Sequence, residues 1–276
     1  MRIIISHDVD HFRHSEHWRD LIVPKYLARM GLESLKGSIG PGQVARRLAD
    51  ILRDKREHLL EVLAFDNVHN IRPTFFIGMG RGMGLSYSAH AAARWVRYLA
   101  QLNCDLGIHG ISYNDINAMR VERERFAQAL GREDFGVRMH YLRQDGGTIE
   151  RLAALGYLYD TTGPGDCGPW RTESGMWIFP LHVMDGWYLL GDKRYQSRST
   201  HEAYVATRDR LDALAGKGVD PITINFHDSY FSPAHASWKE WYERVIDDLS
   251  ARGAAFITYP QAIESLDAEQ DGETSQ

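Results

Sequence analysis

The stretch "IIISHDVDH", residues 3–11, passes directly from three isoleucines to two aspartates and two histidines. A run of β-branched residues predicts a strand that is buried on both faces. The polar residues that follow such a run lie where the strand leaves the core. We therefore predict a strand over residues 2–6 that delivers Asp8 and Asp10 to the edge of a buried sheet.

The composition is that of an ordinary globular protein: 276 residues, 43% hydrophobic and 25% charged, with a net charge of −5. No stretch is dense in lysine and arginine, so we expect no nucleic-acid partner. Two cysteines are too few for a disulfide framework. We see no apolar run of membrane-span length and no secretory signal pattern, so we expect a cytoplasmic protein without a membrane span. The sequence does not indicate an oligomeric state.

Apolar, β-rich runs alternate with stretches of helical periodicity, which predicts parallel strands joined by helical crossovers. We predict one domain over residues 1–266, a distorted (β/α) barrel of seven or eight mostly parallel strands with a helical insertion after strand one. An open sheet fits the pattern nearly as well. The acidic tail, residues 267–276, is predicted to be disordered. The strands are predicted at 2–6, 73–77, 105–109, 136–142, 157–160, 177–181, 221–226 and 254–258, and the longest helix at about 41–65.

Polar residues recur at the ends of these predicted strands. In a parallel barrel all strand carboxyl ends open onto one face, so these side chains are expected to converge. Carboxylate and imidazole together suit a divalent metal such as Zn²⁺ with a position left for water. A further carboxylate could act as general base, a histidine as general acid, and an arginine could keep the base ionised. The residues are Asp8, Asp10, His109, Arg138, His140, Asp160, His182, Asp185, His227 and Asp228.

At these residues the sequence resembles the polysaccharide deacetylases, the NodB-like carbohydrate esterase family 4, from residue 3 to about residue 263. "SHDVD" matches the first motif of the family, which implies that Asp8 is the general base and Asp10 a metal ligand. "IHG" matches the metal-histidine motif and implies that His109 is a ligand. "GVRMHYLR" and "INFHD" imply that Arg138 orients the base and that His227 is the general acid.

Three positions depart from the family pattern. The second metal histidine of the family is Tyr113 here, and the proline two residues after the arginine is His140. We predict that His140 replaces the missing histidine as third metal ligand. In the alternative interpretation, His140 packs against the insertion and the metal site is degraded. Asn225 stands where the family has a leucine, which leaves the shape of the acetyl pocket open.

We predict that four residues contact the substrate: Tyr113, Asp160, Trp170 and Asp185. Asp160 could instead form an ion pair with Arg138 or cap a loop. Asp185 could be an ordinary turn residue. Seven tryptophans and thirteen tyrosines suit stacking on sugar rings.

The resemblance implies a metal-dependent deacetylase, with Zn²⁺ as the expected metal. Its substrate would be an acetylated carbohydrate, with N-acetyl favoured over O-acetyl, and the absence of an export signal suggests a precursor of a surface polysaccharide. Two alternatives stay open at this point. One is an amidase-like hydrolase of another C–N bond, and the other is an inactive sugar-binding protein.

Overall fold

The computed structural model describes residues 1–17 and 20–274, and over these residues it contains ten short strands in one sheet. The strands are β1 (Arg2–Val9), β2 (Thr74–Ile77), β3 (Asp105–Gly110), β4 (Val137–Met139), β5 (Tyr159–Asp160), β6 (Trp170–Arg171), β7 (Trp177–Ile178), β8 (Val183–Met184), β9 (Ile222–Asn225) and β10 (Ala255–Phe256). Two of them, β6 and β8, were not predicted, because a two-residue strand is too short to show alternation.

The strand order is β6-β7-β5-β4-β3-β2-β1-β9-β8, and β10 pairs with β1. All neighbouring pairs are parallel except β6 and β7. The long strand β1 lies between β2 and β9, so its carboxyl end opens between theirs. This curled, mostly parallel sheet confirms the predicted fold class.

Three helices, α1 (Ile22–Leu35), α2 (Pro41–Leu52) and α3 (Leu59–Val68), form the predicted insertion after β1. The single helix predicted over residues 41–65 is wrong, because the chain leaves the helical conformation between α2 and α3. Asp54 has a φ of 54°, and the backbone N–H groups of Arg56 and Glu57 donate to the Phe12 carbonyl. The later helices are α4 (Ala89–Leu99), α5 (Ile116–Leu130), α6 (Thr148–Ala154), α7 (Asp185–Leu189), α8 (Thr200–Gly216), α9 (Ala236–Ala251) and α10 (Tyr259–Thr274).

Helix α10 continues to Thr274 and so includes most of the acidic segment for which the composition predicts disorder. The Asp267 carboxylate accepts hydrogen bonds from the indole N–H of Trp177 at 3.1 Å and from Arg171 at 3.2 Å. These contacts fasten the acidic segment to the β6–β7 edge, which composition alone does not reveal. Residues 275–276 lie outside the described part of the chain. Among the described helices, none has the length and apolar character needed to span a bilayer.

Successive side chains of β1 point to opposite faces of the sheet. Ile3 and Ile5 point into the large core between the sheet and its helices, whereas Ile4 packs inside the curl of the sheet with Phe76. Because the side-chain period of a strand is two, Asp8 points to the same inner face as Ile4. The inside of the curl is therefore apolar in its lower part and becomes polar at the carboxyl end of β1.

His7 points to the opposite face, where it belongs to a buried polar network. Its Nδ1 lies 2.8 Å from the Phe226 carbonyl oxygen and its Nε2 lies 2.8 Å from Asp66 Oδ2. The Tyr242 hydroxyl donates to Asp66 Oδ1 at 2.7 Å. His7 and Asp66 have no solvent exposure. The network thus joins β1, α3 and α9 through one carboxylate.

We expect the Asp66→Ala variant to lose stability because it leaves two buried polar groups without their common partner. The expected cost is about 3–5 kcal/mol, since breaking a buried charged network is far more costly than removing a surface pair. That corresponds to a fall in Tm on the order of 10 °C, measured by thermal denaturation. The matched control is Asp247→Ala, which removes the partner of His69 at the surface and should change stability by less than about 1 kcal/mol. Equal losses in the two variants would contradict the structural role of the network.

Candidate active site

Three ligand-type side chains converge at the carboxyl ends of β1, β3 and β4. Asp10, His109 and His140 each place one oxygen or nitrogen atom within 4.8 Å of the others. Asp10 Oδ1 lies 3.2 Å from His109 Nε2 and 3.2 Å from His140 Nδ1, and the two nitrogens are 3.0 Å apart. Ligands bound at about 2.0–2.2 Å around a tetrahedral metal lie roughly 3.3 Å apart, so these spacings fit a single small cation.

In each of the two histidines, the ring nitrogen that faces away from the cluster shows which nitrogen carries the hydrogen. His109 Nδ1 lies 3.0 Å from the Arg138 carbonyl oxygen, and His140 Nε2 lies 3.1 Å from the Met83 carbonyl oxygen. A carbonyl only accepts, so each of these nitrogens carries the hydrogen and the inner nitrogens present lone pairs. Asp10 Oδ1 is buried and has no hydrogen-bond donor. Three acceptor atoms that face one another are what a bound cation requires.

Without a cation, charge attraction holds the three groups together. Burial alone would raise the pKa of Asp10, but His140 and His109 outweigh it and hold that pKa well below its usual value. Burial would lower the pKa of His140, yet the neighbouring Asp10 carboxylate raises it. One oxygen and two imidazole nitrogens form a donor set that suits Zn²⁺ among the divalent metals. Asp10, His109 and His140 would hold the ion.

His140 reaches the cluster from a turn and not from the strand that the sequence predicted. Strand β4 ends at Met139, and residues 140–142 form a short 3₁₀ turn. Tyr141 and Leu142 have φ angles of 56° and 53°, in the left-handed region that costs a non-glycine residue about 1–3 kcal/mol. The tight reversal turns the His140 ring toward Asp10.

Asp8 lies beside the cluster and is 2% exposed. Its Oδ1 accepts a hydrogen bond of 2.9 Å from Arg138, and its Oδ2 accepts one of 2.9 Å from the Asn225 side chain. Burial would raise the pKa of Asp8, but the Arg138 guanidinium lowers it. Asp8 is therefore an ionised carboxylate held in one orientation next to the candidate metal position.

Arg138 is fully buried in a dedicated cradle. It donates to the Thr161 carbonyl at 3.1 Å and to the Tyr259 hydroxyl at 3.2 Å, and its guanidinium lies 4.5 Å from the centre of the Phe76 ring. Arg138 also donates to the Asn225 side-chain oxygen at 2.7 Å. Asn225 thus bridges the arginine and Asp8, so this departure from the family pattern supports the carboxylate.

Asp160 does not take part in this arrangement. Its Oδ1 accepts hydrogen bonds from the backbone N–H of Thr162 at 3.2 Å and from the Thr162 hydroxyl at 2.5 Å. It is 2% exposed, and burial raises its pKa to about 6. Its carboxyl group is enclosed in the turn after β5 and caps that loop, as one of the interpretations of the sequence allowed, and its contact with substrate stays a prediction.

His227 follows β9 and faces the cluster with its Nε2, which lies 3.8 Å from Asp10 Oδ2. Its Nδ1–H donates to Asp185 Oδ1 at 2.9 Å, and its backbone N–H donates to Asp185 Oδ2 at 2.8 Å. Burial would lower the pKa of His227, but the Asp185 carboxylate raises it well above its usual value. The Asp185 carboxylate therefore favours the protonated form of His227.

Asp185 is fully buried at the start of α7. Both of its oxygens are directed at His227, and its contact with substrate stays a prediction. It acts as the charged partner that orients the imidazole and keeps it protonated. The sequence could not pair these two residues, because they lie 42 positions apart on different strand ends.

The two predicted aromatic substrate contacts, Tyr113 and Trp170, are not part of the cluster. Tyr113 packs under the Arg143 guanidinium, which is 5.0 Å from its ring centre. Trp170 is 44% exposed on β6, and β5 and β7 separate that strand from β4. The aromatic residue beside the metal ligands is Tyr141, whose ring centre is 4.2 Å from that of His140 and which is 63% exposed. Its strained backbone and exposed ring were not predicted.

No protein-family model and no curated protein matches this sequence. The fold does match solved structures. A protein from Mycobacterium smegmatis assigned to the polysaccharide deacetylases has a TM-score of 0.66 at 18% identity, covering 98% of this chain and 91% of its own. The Puue allantoinase has a TM-score of 0.62 at 13% identity, covering 94% and 88%.

A second protein assigned to the polysaccharide deacetylases, from Pseudomonas aeruginosa PAO1, has a TM-score of 0.60 at 13% identity and covers 95% of this chain and 89% of its own. Identities this low establish the fold and nothing finer. The chain has the fold of the polysaccharide deacetylases, which confirms the fold expected from its motifs.

Proposed function

We propose that this chain is a divergent polysaccharide deacetylase, a metal-dependent hydrolase that removes an acetyl group from a carbohydrate. The observation that carries this proposal is the convergence of the acceptor atoms of Asp10, His109 and His140 beside an ionised Asp8 and a protonated His227. A divalent cation held by the three ligands, most plausibly Zn²⁺, would polarise an acyl carbonyl and acidify a water molecule.

Within this proposal Asp8 is the general base. It is ionised and oriented by Arg138 and Asn225, so it can take the proton of the attacking water without moving. Because Arg138 is itself held by Thr161 and Tyr259, the carboxylate stays in place while its charge changes. Such prearrangement is what makes general base catalysis effective.

His227 is the general acid in the same proposal. Its Nε2 faces the cluster, and Asp185 on Nδ1 keeps the ring protonated. It can therefore give its proton to the departing sugar amine, which is a poor leaving group unless protonated. An acid of this kind favours an N-acetyl over an O-acetyl substrate, since an alkoxide leaves more readily than an amide anion.

The proposed substrate is an acetylated carbohydrate. We still predict that this carbohydrate is an intracellular precursor of a surface polysaccharide. Tyr141 presents an exposed ring next to His140, where it could stack on a sugar ring. The full set of base, acid and ligand side chains supports a catalyst over an inactive sugar-binding protein.

The first test is metal content measured together with acetate release from N-acetylated sugars. We expect near-stoichiometric divalent metal in the wild type and loss of acetate release after chelation, with recovery when Zn²⁺ is added. His140→Ala removes one of three ligands, so its metal affinity should fall by at least ~10- to 100-fold. Elemental mass spectrometry after dialysis measures this loss directly.

His201→Ala is the matched control because His201 is an exposed histidine on α8. It should keep both its metal and its activity. Wild type that stays free of metal in the presence of Zn²⁺, or His140→Ala that binds metal like the wild type, would refute the proposed ligand set.

A second candidate is hydrolysis of another C–N bond, favoured by the likeness of the fold to the Puue allantoinase. The same base, acid and metal would serve it. Ring opening of small cyclic amides to products that carry both a carboxylate and an amino group, without acetate release from sugars, would identify this activity.

A further inference from the structure

Helix α1 of the insertion is oriented with its apolar residues outward. Met30 and Glu33 are its buried residues, and Glu33 accepts hydrogen bonds from Arg29 at 3.0 Å and from Arg47 of α2 at 2.5 Å. The opposite side of the helix carries one exposed charged residue, Lys25. A surface helix of a globular protein normally has the reverse arrangement, with its apolar side toward the core. The exposed apolar residues of α1 are Pro24, Leu27, Ala28, Gly31, Leu32 and Leu35.

Exposed leucines are concentrated in this part of the chain. Leu35 is 88% exposed, Leu21 just before α1 is 61% exposed, and Leu48 and Leu52 of α2 are also exposed. Residues 21–52 thus hold nearly half of the large apolar side chains that are exposed among the described residues. Single exposed leucines are common, but a concentration of them marks a surface that binds a partner or a membrane.

The exposed charges on the same two helices and their connections are all positive. No carboxylate between residues 21 and 53 is exposed, since Glu33 is buried and Asp50 is half-buried. The whole chain has a net charge of −5, so this positive surface is a local feature that suits an anionic partner. The exposed cations are Lys25, Lys36, Arg46 and Arg53, and none of them forms an ion pair with another described residue.

The start of α1 adjoins the mouth of the candidate active site. A Cβ atom on Gly84 would lie 2.8 Å from Ile22 Cδ1, at the start of α1, and 3.6 Å from the Tyr141 hydroxyl. Tyr141 follows His140, and the carbonyl of Met83 contacts the His140 ring. Met83 and Tyr141 are exposed and have φ angles of 52° and 56°. Strained residues that present apolar side chains to solvent are typical of functional surfaces.

We propose that the outer face of α1, together with the exposed apolar side chains at the mouth, binds the surface of an anionic lipid membrane. The leucines would enter the boundary between headgroups and acyl chains, and the cations would contact the anionic headgroups. Helix α1 would lie in the plane of the membrane. The candidate active site would then be held at the level of the headgroups. This inference goes beyond the proposed deacetylase activity and does not depend on it.

Two other occupants fit the surface less well. A second copy of the chain, related by twofold symmetry, would bring the same cations of both copies together, which is repulsive. An acidic protein would match the charge. However, the exposed residues of α1 include none of the aromatic side chains that are enriched in protein interfaces. A lipid boundary accepts leucines in any arrangement, so it agrees best with this surface.

The test is flotation of the full-length protein with phosphatidylcholine vesicles that do or do not contain phosphatidylglycerol. We expect the wild type to float with the mixed vesicles and to remain largely unbound with phosphatidylcholine alone. The double variant Leu32→Gln, Leu35→Gln should bind the mixed vesicles ~10- to 100-fold more weakly, because two apolar side chains no longer enter the bilayer. Glutamine has a high helix propensity, so α1 should stay folded.

The matched control for the leucine pair is the double variant Val68→Gln, Val121→Gln. These valines are exposed on α3 and α5 to extents similar to those of Leu35 and Leu32. The control should float like the wild type.

A second pair of variants tests the cations separately. The double variant Lys25→Gln, Lys36→Gln should weaken binding to the mixed vesicles by ~10- to 30-fold. It also replaces the leucine pair if those substitutions change the circular dichroism spectrum. Its control is Arg94→Gln, Arg97→Gln, which makes the same charge change at exposed positions of α4 and should not alter flotation.

Wild type that stays unbound to the mixed vesicles would overturn the proposal, as would equal flotation of the wild type and both surface variants. A dimer in solution that the leucine substitutions dissociate, detected by sedimentation equilibrium, would assign the surface to a second copy instead. Acetate release from soluble acetylated sugars is measured separately. Membrane binding without acetate release would therefore refute the deacetylase alone, and acetate release without membrane binding would refute this inference alone.

Discussion

Asp8→Asn should lower kcat for acetate release by about 10²- to 10⁴-fold, the range typical of a lost general base. The asparagine cannot accept a proton at this position, and its NH₂ group would face either Arg138 or Asn225, which both donate to Asp8 in the wild type. Metal content should be unchanged, because Asp8 is not one of the three clustered ligands. Steady-state kinetics and elemental analysis on the same preparation measure both quantities.

Asp105→Asn controls for the removal of a buried, arginine-paired carboxylate. Asp105 is 5% exposed and accepts a 2.6 Å hydrogen bond from Arg72 at the opposite end of β3. Both substitutions remove the negative charge that faces an arginine, so both should reduce stability, but only Asp8→Asn should reduce kcat. Full activity in Asp8→Asn would assign the base to another residue.

His227→Ala should lower kcat by about 10²- to 10⁴-fold on an N-acetyl sugar. The same variant should lose less than about 10-fold on p-nitrophenyl acetate, whose phenolate leaves without being protonated. The contrast between the two substrates isolates the step in which the leaving amine takes a proton. Equal losses on both substrates would indicate that His227 serves the active site in another way.

Asp185→Asn tests whether Asp185 keeps His227 protonated. The pKa of His227 is raised by Asp185, so the wild-type enzyme should keep its acid protonated through neutral pH and lose activity only as the pH rises through that pKa. Removing the carboxylate charge lowers the pKa, so the alkaline limb of the pH–rate profile should move to lower pH. A profile that keeps its alkaline limb while kcat falls would show that Asp185 only orients the ring.

The fold and the outline of the candidate site were predictable from local patterns. The β-branched run at residues 3–5 identifies a buried strand, and period-two alternation places Asp8 on one face and His7 on the other. Parallel strands present their carboxyl ends together, so the gathering of Asp10 and His109 follows from their positions after strands. These features depend on near neighbours in the chain.

The partners of these residues were not predictable in the same way. The sequence did not reveal that Asp185 holds His227, nor that Asp160 bonds to Thr162. In the sequence, Asn225 is recognised only as a departure from a family motif. In the structure it bridges Asp8 and Arg138. Each of these outcomes depends on strand register and on side-chain rotamers across residues far apart in the chain.

The sequence by itself determined the strand pattern, the candidate base and ligand residues, and the end of the sheet where they gather. Only the tertiary structure decided that a strained turn brings His140 to Asp10 and that Asp185 pairs with His227. The physical reason is the separation in sequence between the residues that interact. Hydrophobic alternation involves residues that are close together in one strand. A polar site joins side chains from distant segments, which come into contact only after the sheet has curled.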